Sequence, residues 1–426
     1  MKPYYYQCSR CGSIFPAEKI EQEFVYLCPN CGAAPKNEPL QGVLQIIYDY
    51  KALARKLSRE RMLSLSPGKF WLYPQLWPLA FRTDGEETAF EHIPSEWLSR
   101  VALPGDALLE YKQNKDTLSL WDETRNPTLS YKDRASILIA LKARQLNVTE
   151  VAAASTGNAG SSLAGICARL GITAHIFVPA AIPEAKRIQI QAFGAKIYMV
   201  DGDYDLAFDL CLEAASRKHW YNRNTAYNPL TIEGKKSAAY DMFISTGGRL
   251  PESIIIPVGD GVILSGLYKG FWELLQLGWI EQIPRLIAVQ SSGSDGLVRY
   301  LQSGRFEYRT AHTIADSICA GAPRNLYMAA RAVHESRGQA IAVSDRQILD
   351  AQQTLATGYG ILCESSSAAV LAGYRLLSEQ GLIDPGLRNL LLITGNGLKD
   401  HGVLQSWNSA PQIKSYRQWM DIFHNA

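Results

Sequence analysis

The sequence offers two groups of residues that could carry chemistry. The first centres on a lysine. In Asn126-Pro127-Thr128-Leu129-Ser130-Tyr131-Lys132-Asp133-Arg134, Lys132 stands where a turn-type segment meets a helix predicted over 135–144. A helix N-terminus disfavours positive charge, and burial lowers the pKa of a lysine. Both effects favour the neutral amine that Schiff-base chemistry needs. A surface lysine paired with Asp133 would show the same local pattern. The second group is Cys8, Cys11, Cys28 and Cys31, in two C-x-x-C-G knuckles. Two-residue spacing lets both thiolates of a knuckle reach one tetrahedral ion, and four cysteines leave no open position. The expectation is a structural zinc in a ribbon-like segment, not a catalytic metal. Cys167, Cys211, Cys319 and Cys363 are scattered and read as small buried hydrophobes.

Three further segments offer anion-binding or hydrogen-bonding groups at element boundaries. Ser155-Thr156-Gly157-Asn158 lies between a predicted strand and helix. Its side chains suit either an anion or simple capping. Pro257-Val258-Gly259-Asp260-Gly261 occupies a second strand-to-helix junction, where glycines let backbone N–H groups approach a phosphate. In Leu391-Leu392-Ile393-Thr394-Gly395-Asn396-Gly397-Leu398-Lys399-Asp400, Thr394 ends a strand, so its hydroxyl can meet a ring nitrogen. A structural turn explains each of these segments equally well when it is taken alone.

The elements that must position these residues alternate regularly. Strands are predicted over 151–154, 174–178 and 196–200, with helices over 159–170 and 184–193, each closed by a glycine. A second set follows: strand 253–257, helix 263–277, strand 285–290. Helices fill most of the remainder until strand 389–394. This is βαβ architecture with parallel sheets, and it places a site in the cleft between two α/β domains. Residues 43–50 read as a strand, and 51–104 as short helices and loops. The expected division is a zinc-ribbon-like segment at 1–40, a large domain at 41–125 and 237–410, a small α/β domain at 126–236 and a tail at 411–426.

Taken together, these motifs resemble the threonine synthase family among the fold-type-II pyridoxal-phosphate enzymes, built from two three-layer α/β domains. Supporting segments include Glu233-Gly234-Lys235-Lys236, Ala315-Asp316-Ser317-Ile318 and Cys363-Glu364-Ser365-Ser366-Ser367. The resemblance implies that Lys132 carries pyridoxal 5'-phosphate as a Schiff base and later moves protons. It implies that Asn158 bonds the phenolic oxygen of the cofactor and that Gly259, Asp260, Gly261, Val262 and Ile263 line its phosphate. Thr394 would face the pyridine nitrogen. Ser155 and Thr156 would lie near the substrate carboxylate, with Lys186 or Arg187 as its anion partner. The implied reaction converts O-phosphohomoserine and water to threonine and phosphate. A related β-replacement on O-phosphoserine, as in cysteate synthase, is the alternative. Leu129 stands where the family usually has glycine, and Tyr131 where it has phenylalanine. Asn396 replaces a usual histidine, and Ser237 a usual threonine. Asp260 stands where asparagine is frequent, so it must turn away, cap a helix or be protonated.

Net charge is +2, which gives no global attraction to nucleic acid or to an anionic membrane. No stretch approaches the ~20 apolar residues of a membrane span. The N-terminus lacks the apolar core of a signal peptide. The expectation is a cytoplasmic homodimer acting on a small amino acid.

Overall fold

Four sheets organise the computed structural model, which describes residues 2–84, 87–113, 116–155, 157–408, 411 and 413–425. The first sheet belongs to the cysteine segment. Tyr4–Cys8 pairs antiparallel with Ile14–Pro16 on one side and Leu44–Tyr48 on the other. The strand predicted over 43–50 therefore stops at Tyr48, because Tyr50 opens a helix capped by Asp49. It also carries the sheet past residue 40. A separate hairpin pairs Phe81–Asp84 with Glu87–Phe90.

The middle sheet is wholly parallel, in the spatial order Lys196–Val200, Thr173–Pro179, Glu150–Ala154, Tyr221–Asn222. The largest sheet runs Gln339–Val343, Arg285–Ser291, Ser253–Pro257, Asn389–Ile393, Asp116–Asp122, Leu108–Gln113. Only the last pair is antiparallel. The strands foreseen at 253–257 and 389–394 run as continuous apolar rows, as strands covered on both faces must. Three strands carry no such signal. Gln339–Val343 lies at a sheet edge, half-buried, in a region read as helical. Leu108–Gln113 and Asp116–Asp122 gain their identity by pairing with each other and with Asn389–Ile393.

The topology explains where the motifs meet. Ser253–Pro257 and Asn389–Ile393 are adjacent and parallel, and the sheet order changes direction between them. Such a switch point opens a crevice beyond the carboxyl ends of the strands. Three parallel strands end there: one leads to Gly259, one to Thr394, and Asp116–Asp122 leads to the Lys132 segment. The strand Glu150–Ala154 of the middle sheet delivers Ser155 to the same cleft. Of the scattered cysteines, Cys167, Cys211 and Cys363 are buried as expected, while Cys319 is exposed at the cleft. No helix among the described residues is long and apolar enough to cross a membrane.

Candidate active site and metal centre

Lys132 caps the helix Asp133–Gln145, so its amine reaches the cavity from a fixed root. Asp133 does not neutralise it. The Asp133 carboxylate is buried and accepts from the amide of Thr128 at 2.7 Å and from the Thr128 hydroxyl. The next residue, Arg134, anchors the helix from below, donating to Glu123, Asp241 and Ser237 in a fully buried network. The approach to Lys132 is stitched to the Thr394 segment. The amide of Tyr131 donates to the Thr394 carbonyl at 2.8 Å, and that of Asn396 to the Leu129 carbonyl at 3.1 Å. Burial pulls the Lys132 amine down to about 8. Glu364 opposes that shift, while Arg223 adds to it.

The enclosed part of the cleft is lined by Lys132, Asn158, Lys235, Gly259, Asp260, Gly261, Val262, Ile263, Ser366 and Thr394, among others. It opens into a cleft of about 390 Å³ that shares Lys132, Asn158 and Asp260 and adds Ser155 and Gly157. Gly261 adopts φ 85°, a left-handed conformation that suits glycine, and starts the helix Val262–Gln276. That helix has no acidic residue in its first turn, so its free N–H groups face the cavity without a competing carboxylate. Asp260 turns away. Its carboxylate accepts from the amide of Arg324 at 3.1 Å, at the start of the turn into helix Leu326–Glu335. Thr394 holds its hydroxyl 3.1 Å from that of Ser367. The Ser366 hydroxyl is buried in this cavity without a partner. An amine, a helix-opening glycine loop, a neutral hydroxyl at a strand end and an orphan donor on one cavity fit pyridoxal phosphate.

The substrate side is arranged differently from the expectation. The Ser155 hydroxyl caps the helix Asn158–Arg169, accepting from the amides of Gly157 and Gly160 at 3.0 and 2.9 Å. Thr156 lies outside the described residues. Lys186 does reach the cleft, but its charge is engaged: its ammonium is 2.7 Å from Asp316 and 3.5 Å from Glu364. Burial would lower its pKa, but those carboxylates outweigh burial and hold it above the ordinary lysine range. Arg187 is not brought to the site. It turns to Gln191 and Glu184 on its own helix, because successive helical residues point about 100° apart and only one of the pair can face the cleft.

Glu364 and Lys399 join the site without a role assigned to them from the sequence. Glu364 is buried and accepts from the Asn158 amide at 2.6 Å. Lys399 donates to Asn158 and Ser161, both at 3.1 Å. Each was visible inside a quoted motif, but a carboxylate preceding a helix and a lysine after a turn are ordinary surface features until the fold buries them.

The four cysteine sulfurs lie within 4.8 Å of one another. Cys8 to Cys31 is 3.5 Å and Cys11 to Cys28 is 3.6 Å. A tetrahedral ion with metal–sulfur bonds of about 2.3 Å requires edges of about 3.8 Å, so the cluster is near ligating geometry. Amides of Arg10 and Cys11 point at the Cys8 sulfur, and that of Asn30 at Cys28, as thiolates require. The two glycines act differently. Gly12 takes φ 73°, whereas Gly32 is needed for close approach, since a Cβ there would lie 2.5 Å from the Cys28 carbonyl oxygen.

Residues 107–395 match the family model described as pyridoxal-phosphate dependent enzyme. A threonine synthase of Methanocaldococcus jannaschii is 32% identical over 398 residues, covering 92% of each chain. One of Methanosarcina acetivorans is 32% identical over 401 residues, covering 93% of this chain and 92% of its own. This chain belongs to the threonine synthase family of pyridoxal-phosphate-dependent enzymes. Among solved structures, maize serine racemase superposes with a TM-score of 0.61 at 18% identity, over 78% of this chain and 97% of its own. O-ureido-L-serine synthase gives 0.60 at 16%, over 77% and 99%. At such identities they show the shared fold-type-II architecture alone. Membership in the threonine synthase family rests on the sequence relatives.

Proposed function

We propose that this protein converts O-phosphohomoserine and water to threonine and phosphate, using pyridoxal phosphate attached at Lys132. The convergence of Lys132, the loop Gly259–Gly261 and Thr394 on one cavity at the sheet switch point carries this reading, together with the family. When bound, pyridoxal phosphate supplies the electron sink that makes protons at Cα and Cβ of an amino acid removable. Lys132 is the base in reach, and its lowered pKa leaves a useful fraction neutral near physiological pH. Thr394 presents a neutral hydroxyl to the ring nitrogen. A hydroxyl does not keep that nitrogen protonated as a carboxylate would, which suits elimination and water addition over transamination. Asn158 orients the phenolic side and is itself fixed by Glu364 and Lys399. Ser155 can still donate its hydroxyl proton to a substrate carboxylate while its oxygen caps the helix. Phosphate leaves from Cγ, and water adds at Cβ. The four cysteines hold a structural zinc that takes no part in these steps.

The test is a panel of O-phosphohomoserine and O-phosphoserine with measurement of released phosphate and identification of the product. Threonine from the first is expected. Release from O-phosphoserine alone would instead assign β-replacement.

A further inference from the structure

A cavity of about 370 Å³ lies between the cysteine segment and the helix Leu326–Glu335, and it shares no lining residue with the cofactor cleft. One buried polar side chain lines it, Asn325, which is 2% exposed. The Asn325 Nδ2 donates to the Ser265 hydroxyl at 2.8 Å, and that hydroxyl gives its own proton to the Gly261 carbonyl at 3.0 Å. The carboxamide is therefore oriented: Nδ2 faces Ser265, and Oδ1 is left over as an acceptor. That Oδ1 is buried and has no partner. A buried acceptor without a donor is unfavourable, so the cavity suits a ligand that presents an N–H or O–H. Two guanidiniums line the same cavity. Arg10 donates to Gln41 and has no carboxylate partner among the described residues. Arg331 gives its Nε to Glu335 at 2.7 Å, which leaves its Nη groups for another acceptor. Leu40, Val43 and Met328 supply an apolar wall.

A ligand for this cavity brings a donor to Asn325, a carboxylate to the guanidiniums and an apolar body to the wall. An α-amino acid with an apolar side chain carries all three: its ammonium donates, and its carboxylate matches the planar fork of an arginine. We propose that the cavity is a regulatory site for an apolar α-amino acid, separate from the catalytic cleft. Its link to the cofactor loop is short. The Asn325 amide donates to the Asp260 carbonyl at 2.9 Å, and the Arg324 amide to the Asp260 carboxylate at 3.1 Å. The Leu40 amide donates to the Arg324 carbonyl at 3.0 Å. A Cβ on Gly261 would lie 2.6 Å from the Ala329 Cβ, so the helix behind the cavity has no slack against the loop. A ligand that holds Asn325 and Leu40 thus biases the loop Gly259–Gly261 that lines the cofactor cavity. The two binding events are then coupled by one reciprocal factor.

The experiment titrates L-leucine, L-isoleucine and L-methionine into the cofactor-free full chain by calorimetry. Leucinamide, which lacks the carboxylate, and isocaproate, which lacks the amine, are the controls. L-Leucine binds, and each control binds about tenfold more weakly or worse. Arg10→Gln removes a charge at the surface, and Met328→Trp fills the cavity. Both melt near wild type and lose the binding of L-leucine. Coupling is read with pyridoxine phosphate, which has no aldehyde to react with an amino acid. Saturating L-leucine changes the affinity for it by about fivefold or more in wild type and leaves it unchanged in Arg10→Gln. Binding of none of the three amino acids overturns the site. So does L-leucine binding at wild-type strength in both variants, which would place it in the catalytic cleft, or equal binding of L-leucine and its two controls. An affinity for pyridoxine phosphate that ignores bound L-leucine overturns the regulatory role. None of these measurements uses turnover, so a failure of the proposed reaction would not be mistaken for a failure of this site.

Discussion

At the scale of single residues, Lys132 and Leu129 carry consequences that can be measured. Neutral Lys132 is the form that attaches an aldehyde, so the rate of reconstitution with pyridoxal phosphate should rise with pH and level off above about 8. Glu364 raises the Lys132 pKa, so Glu364→Gln should move that profile to lower pH. An unshifted profile would remove Glu364 from the electrostatics of the site. Lys132→Ala should abolish the visible absorption of the bound cofactor and the release of phosphate. Leu129 adopts φ 65°, in the left-handed region where non-glycine residues are strained. This accounts for glycine being usual at that position in the family. Leu129→Gly relieves about 1–2 kcal/mol of backbone strain. It also raises the entropy of the unfolded chain by about 0.4–1 kcal/mol in the opposite sense. The expected net is a gain of about 0–1.6 kcal/mol in urea unfolding, with activity retained.

At the scale of elements, the helix that Lys132 caps is positioned by a close crossing. A Cβ on Gly234 would lie 2.4 Å from the Arg134 carbonyl oxygen and 2.8 Å from the Ala135 Cα. The helix Leu230–Lys235 can therefore touch the helix Asp133–Gln145 only where its side chain is a hydrogen. Gly234→Ala should force the two apart at the root of Lys132, costing about 1–3 kcal/mol in stability and weakening cofactor retention. Retention of both would show that the crossing can relax. The cysteine segment is joined to the catalytic body by Tyr48 and Tyr50, which donate to buried Glu233 and Glu273, and by the Leu40 amide on the Arg324 carbonyl. Tyr48, Tyr50, Glu233 and Glu273 do not line the cofactor cavity, and Arg324 lines only its outer, open part. Chelation should release the structure of residues 1–40, seen as increased proteolysis there, while the spectrum of the bound cofactor persists. Simultaneous loss of the spectrum would mean that the link through Arg324 to the Asp260 loop transmits the change.

At the scale of the whole molecule, the cleft is held between the middle sheet and the largest sheet, and Lys186 spans it. Lys186 belongs to the helix Glu184–Ala192, packed on the middle-sheet side, whereas Asp316 and Glu364 belong to segments around the large sheet. Its side chain passes so close over Gly157 that a Cβ there would meet it at 2.9 Å. Lys186→Ala leaves Glu364 buried beside one cation fewer. It should cost about 2–3 kcal/mol in denaturant unfolding, and it should raise KM more than it lowers kcat if the bridge sets the width of the cleft.

Much was legible without a structure. Helices closed by Gly171 and Gly194, and the apolar strands at 253–257 and 389–393, are set by local periodicity and turn chemistry, which short stretches of chain carry completely. The spacing of Cys8, Cys11, Cys28 and Cys31 likewise defined a ligand set, because four thiols two by two can do little else in this arrangement. The family resemblance also pointed to Lys132, Asn158, the glycine loop and Thr394, and these residues line one cavity. What it could not determine is which charges remain unanswered. Lys186, expected as an anion partner, is already paired, and Arg187, expected in the same role, faces away. The same holds for the edge strand Gln339–Val343, whose identity comes from its neighbour in the sheet. Electrostatic state depends on burial and on partners distant in the chain, and only the packing of two sheets around one cleft decides both.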